Sequence, residues 1–221
     1  MNAWTFLKRR IAAQIRLSRT NKITILYNFG NRAFIKYMGQ KTEKIYKRAK
    51  ENLDKQNHEH ALRLLNEVLN REPSHPQALR NKALLKVLNE NDKEAEQFLL
   101  FAIEQQPDDD QLHQLLGTLY HNNGKPQKAL AQFNKAIAAN PDNAIAQQGA
   151  AMVYAHMLGE HEQAITHFTK ALESDPQNAE LLFNRGCSYM IAEKMDEAEQ
   201  DLRKAADHKH EKANEMLKKY F

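Results

Sequence analysis

The 221-residue chain is 42% hydrophobic and 27% charged, with a mean hydropathy of −0.75, 7 Gly, 6 Pro and 1 Cys. That composition excludes a collagen-like, low-complexity or membrane-spanning chain and favours a soluble helical one, while a lone cysteine, Cys187, excludes an internal disulfide. The formal charge of +4 averages two unlike parts: residues 1–41 hold nine Lys and Arg and no acidic residue, leaving 23 basic against 28 acidic residues, net −5, in the remainder.

Residues 1–41 form the first predicted segment. Trp4, Leu7, Ile11 and Ile15 share one face of a helical projection, with Lys8, Arg9, Arg16 and Arg19 largely to one side, while Phe6 and Leu17 blunt the amphipathicity. Basic residues interrupt every apolar run, so neither a transmembrane helix nor a secretory signal is expected. Four roles remain open for this basic amphipathic segment. It could anchor on an anionic membrane surface, act as a cleaved mitochondrial presequence, touch nucleic acid, or pack as a cap. The expected location is cytoplasmic, at a membrane periphery, or mitochondrial if the presequence reading holds.

Downstream, Pro73, Pro107, Pro141 and Pro176 are spaced by 34, 34 and 35 residues. Twelve residues before each proline stands Ala61, Ala95, Ala129 or Ala164, eight before stands Leu65, Leu99, Phe133 or Phe168, and five before stands Val68, Ala102, Ala136 or Ala171. Offsets of four and three place these on one helical stripe. An upstream stripe repeats in the same period: Ala49, Ala83, Gly117, Ala151 and Gly186, with Tyr120, Tyr154 and Tyr189 three residues after the last three.

These residues resemble the tetratricopeptide repeat, a 34-residue helix-turn-helix unit. The resemblance covers about three quarters of the chain and divides it into 42–75, 76–109, 110–143, 144–178 and 179–212, followed by a capping helix at 213–221. The one extra residue is expected in the turn MLGEHEQ between Tyr154 and Ala164. Departures are that the tryptophan position holds Ile45, Leu79, His113, Gln147 and Leu182, and that Asn52 and Lys86 replace the tyrosine in the first two units.

The resemblance implies an all-α superhelix (a solenoid of stacked hairpins) whose concave face, lined mainly by the first helix of each unit, binds a partner peptide or helix. Projected onto this chain, that face gives Arg80, Gln114, Thr118, His121, Gln148, Met152, His156, Phe183 and Cys187, together with Tyr46, Lys50, Leu84 and Met190. The central residues do not match the basic clamp by which one subgroup holds acidic chaperone tails, which favours a mostly uncharged peptide. A non-enzymatic adaptor is expected; the alternative is an accessory factor working through its basic segment, with the repeats supporting homo-oligomerisation. No cofactor or metal is expected: the H-x-H pairs His58/His60 and His208/His210 lack cysteine neighbours, and His156, Glu160 and His161 fit no zinc-protease spacing. Cys187 reads as a packing residue.

Overall fold

Prolines, caps and small residues act together to cut the chain into short helices. The computed structural model describes residues 39–88 and 92–221, and within them every regular element is a helix. The chain divides into two compact units, Met1–Pro73 and Ser74–Phe221.

In the first unit, α1 (residues 39–54) and α2 (His58–Arg71) form one hairpin. Ile45 and Ala49 of α1 and Ala61, Leu65 and Val68 of α2 are buried. The second unit holds α3 (Pro76–Leu88), α4 (Asp92–Gln105), α5 (Asp110–Asn122), α6 (Pro126–Ala139), α7 (Ala144–Met152), α8 (His161–Ser174), α9 (Ala179–Ile191), α10 (Met195–Asp207) and α11 (Glu211–Tyr220). Consecutive helices pair, and α5 also packs between α3 and α7. The all-α hairpins expected from the sequence are thus present, and within the second unit they stack in consecutive order. The final helix starts at Glu211, two residues before the boundary of the expected cap.

In the second unit α3, α5, α7, α9 and α11 each begin with a side chain that accepts from a backbone N–H otherwise left without an intrahelical partner. The series is His75 to Ala78 N, Asp109 to Gln111 N and Leu112 N, Asn143 to Ala146 N, Asn178 to Leu181 N, and His210 to Ala213 N. The second helices stop where proline forces its predecessor out of helical geometry. Glu72, Asn140 and Asp175 accordingly have φ near −140°, at −137°, −144° and −142°.

Phe133 of α6 and Phe168 of α8 are the largest fully buried side chains. Gly117 and Gly149 make room for Phe133: an added Cβ would lie 2.7 Å and 2.4 Å from its ring atoms. One ring thus links α6 to the first helices of two successive hairpins.

The buried tryptophan position is apolar in Ile45, Leu79 and Leu182 but polar in His113 and Gln147. Both polar residues are satisfied twice, as burial of a polar group requires. His113 Nε2 donates to the Pro107 carbonyl at 2.9 Å, and its Nδ1 meets the Gln132 amide at 2.8 Å. Gln147 donates from Nε2 to the Pro141 carbonyl at 3.2 Å and accepts from His167 Nδ1 at 2.8 Å. The same histidine–glutamine pair is used in both hairpins with its members exchanged between the two helices.

The extra residue does not sit in the turn. Residues Val153–Leu158 form a π-helix that continues α7 to Gly159, so the insertion is taken up inside the helix. The reason lies in a closing hydrogen bond shared by the hairpins. In four hairpins the backbone N–H preceding the second helix donates to the carbonyl at the tyrosine position: Asn57 to Asn52 (2.8 Å), Lys125 to Tyr120 (2.9 Å), Glu160 to Tyr154 (2.9 Å) and Lys194 to Tyr189 (2.9 Å). Only the Tyr154 closure spans one residue more. The wider turn keeps that bond, so α8 enters in the same register as its counterparts.

Candidate functional site

The first helices α3, α5 and α7, with the turn before α7, line a common groove of about 510 Å³. Its walls are Arg80, Asn81 and Leu84 of α3, Asp110, Gln111, Gln114 and Leu115 of α5, and Asn140, Asn143, Ala144 and Ile145 around the start of α7. Leu84 and Ile145 are 41% and 60% exposed, so apolar surface faces water on both flanks.

The charges in this groove are tied down. Arg80 Nε donates to Asp109 Oδ2 at 2.6 Å, and the other oxygen of Asp109 caps α5. The Asp109 side chain is only 3% exposed, so the ion pair is shielded on the carboxylate side. Next to it, Asp110 Oδ2 accepts from Asn140 Nδ2 (3.0 Å) and Asn143 Nδ2 (2.8 Å). Two asparagines thereby fix the carboxylate to the turn before α7.

The nine residues projected from sequence separate into groups. Arg80 and Gln114 line the groove. Thr118 donates to its own helix at the Gln114 carbonyl, and His121 lies against Asn122 at the end of α5. Gln148 is half-buried, and Met152 packs against the core around Ala151 and Phe168. His156 is exposed on the π-helix. Phe183 stacks on His210 with ring centroids 4.2 Å apart, and Glu180 Oε2 lies 3.1 Å from His210 Nε2, so the start of α11 covers this ring. Cys187 is half-buried, and burial, aided by Glu180, holds its thiol above the usual cysteine range, which suppresses the reactive thiolate.

Sequence projection missed Asp110, Gln111, Asn140, Asn143 and Ile145. These lie in the turn between hairpins and the first helical turn, whereas the projection followed mid-helix positions. The repeated cap at Asp109 and Asn143 was the available signal, because residues just after a cap stand at the groove's mouth. Among the described residues no group of three or more His, Cys, Asp or Glu is placed to hold a metal ion, and no helix is long and apolar enough to cross a membrane. The basic set Lys8, Arg9, Arg16 and Arg19 lies outside the described residues.

Sequence comparison matches residues 41–157, more than half of the chain, to the family described as Psidin, N-terminal TPR repeats region. Residues 156–191 match the TPR repeat and residues 179–207 the tetratricopeptide repeat. No curated protein sequence matches significantly. Among solved structures, the chain is similar to MamA, with 22% identity, 82% of this chain and 96% of that chain covered, and a TM-score of 0.63. It is similar to YrrB, described as a TPR protein with an unusual peptide-binding site, with 24% identity, coverage of 79% and 90%, and a TM-score of 0.63. A third similarity is to PilF of Pseudomonas aeruginosa, with 15% identity, 77% of each chain covered and a TM-score of 0.69. At these identities the likeness shows the fold.

Proposed function

The chain belongs to the tetratricopeptide-repeat family, and from that premise we propose that it is a non-enzymatic adaptor whose groove over α3, α5 and α7 binds a segment of a partner protein. The observation that carries the reading is the groove itself, which pairs exposed Leu84 and Ile145 with the amides of Gln111 and Gln114. Apolar side chains give a peptide surface to bury, and amides give its backbone hydrogen-bonding partners. The peptide-binding site named for the similar YrrB structure supports the same use of the fold. Rigid hairpins hold these side chains in place before binding, which lowers the ordering cost of association.

A second reading rests on the nine positive charges of residues 1–41: an accessory role in which this segment engages an anionic membrane or nucleic acid and the repeats support oligomerisation. One capture experiment from native lysate separates the two. The baits are the intact protein, a Leu84→Ser/Ile145→Ser variant, and a variant with Lys8, Arg9, Arg16 and Arg19 changed to Gln. A partner lost only from the groove variant supports the adaptor. A partner lost only from the charge variant overturns it in favour of the second reading.

A further inference from the structure

We infer that the groove selects a peptide carrying a basic side chain between two apolar ones, and disfavours acidic segments. This deepens the groove-adaptor reading and rests on it. The argument begins with the charge of the lining. Arg80 is the groove's cation, and its partner Asp109 at 2.6 Å already offsets it. Asp110 remains, and neither Asn140 nor Asn143 cancels its charge, because both are neutral amides. Both amides engage Oδ2, and among the described residues no hydrogen bond reaches Oδ1, which stands open to an incoming donor. A lysine or arginine of the ligand supplies such a donor together with the opposite charge, which makes the contact a charge-assisted hydrogen bond.

The apolar positions follow from the order of the helices. Leu84 stands on α3 and Ile145 on α7, one on each side of α5, whose first residue is Asp110. Packed helices lie about 8–10 Å apart, and an extended chain advances about 3.3 Å per residue. Each step between neighbouring first helices therefore takes about three residues. The ligand pattern is apolar, two spacers, basic, two spacers, apolar. An acidic residue at the middle position would meet Asp110 as a like charge.

The test uses the intact protein and three acetylated, amidated, fluorescently labelled heptapeptides, LSSKSSL, LSSQSSL and LSSESSL, with binding read by anisotropy. The expected order is Lys over Gln over Glu, with the Lys peptide favoured over Gln by about fivefold at low salt, the size of one partly exposed ion pair. Raising the salt should shrink that ratio. Asp110→Asn should bring the Lys and Gln peptides to equal affinity. Circular dichroism checks that the variant is folded. Equal binding of all three peptides, or a lysine preference that survives Asp110→Asn, overturns the inference. If equal binding is also lost in Leu84→Ser/Ile145→Ser, the groove reading itself stands. Binding that survives that double change, or no binding of any peptide at millimolar concentration, overturns both.

Discussion

Tyr120 places its hydroxyl 2.8 Å from Glu96 Oε1, to which it donates, while its ring lies in the core. Burial first, and then the Glu96 carboxylate, pushes this phenol up to about 12. The neutral form is thus favoured by folding. Its contribution is fully present below the ordinary tyrosine value near 10 and is lost as pH rises toward 12. Absorbance at 295 nm should show a tyrosine ionisation displaced to high pH that is absent in Tyr120→Phe. The melting temperature of that variant should fall less steeply than the parent's between pH 10 and 12. A second contrast concerns glycine. Alanine in a helix interior gains about 1 kcal/mol over glycine, and overpacking costs about 1–3 kcal/mol. At Gly149 the new methyl would sit 2.4 Å from a Phe133 ring that Gly117 already confines, so overpacking wins and Gly149→Ala destabilises by about 1–2 kcal/mol. At Gly186 the nearest atom is Leu202 Cγ at 3.1 Å, on a branched side chain that can shift, and Gly186→Ala stays within about 0.5 kcal/mol of neutral. Urea titration of both variants decides the matter.

Four of the hairpin turns share a left-handed residue just before the closing N–H: Gln56 (φ 57°), Gly124 (65°), Gly159 (71°) and Glu193 (60°). Residues with a Cβ pay about 1–2 kcal/mol for this geometry. Gly124→Ala should therefore lower stability by about 1 kcal/mol, whereas Glu193→Gly should raise it by about 0.5 kcal/mol after the unfolded chain's gain in entropy. Thermal melts showing the opposite signs would mean that these turns are set by contacts rather than by backbone conformation. The hairpins themselves were legible in sequence because proline, small residues and large apolar residues recur at helical offsets. The π-helix was not: VYAHML has no composition that distinguishes a wide turn from a regular one, and only the need to keep the Tyr154 closure reveals it. Nor could His113 and Gln147 be recognised as buried partners of Gln132 and His167, because the pairing joins residues 19 and 20 positions apart through tertiary packing.

Across the molecule, sequence reading located the repeated framework far better than the groove. Gln114 and Arg80 were named, yet Asp110 and Ile145 emerge only when one hairpin's turn is set beside the next one's first helix. The split in charge between residues 1–41 and the rest was plain from the sequence, while its role depends on segments outside the described residues. Stacked repeats draw their stability from neighbouring interfaces, so an error in the phase of one hairpin would ordinarily pass to the next. The π-helix at Val153–Leu158 absorbs its extra residue before the chain turns, and α8 is delivered as if nothing had been added. The array thus behaves like a ruler with a compensating joint: length can change within one division while the marks on either side keep their alignment.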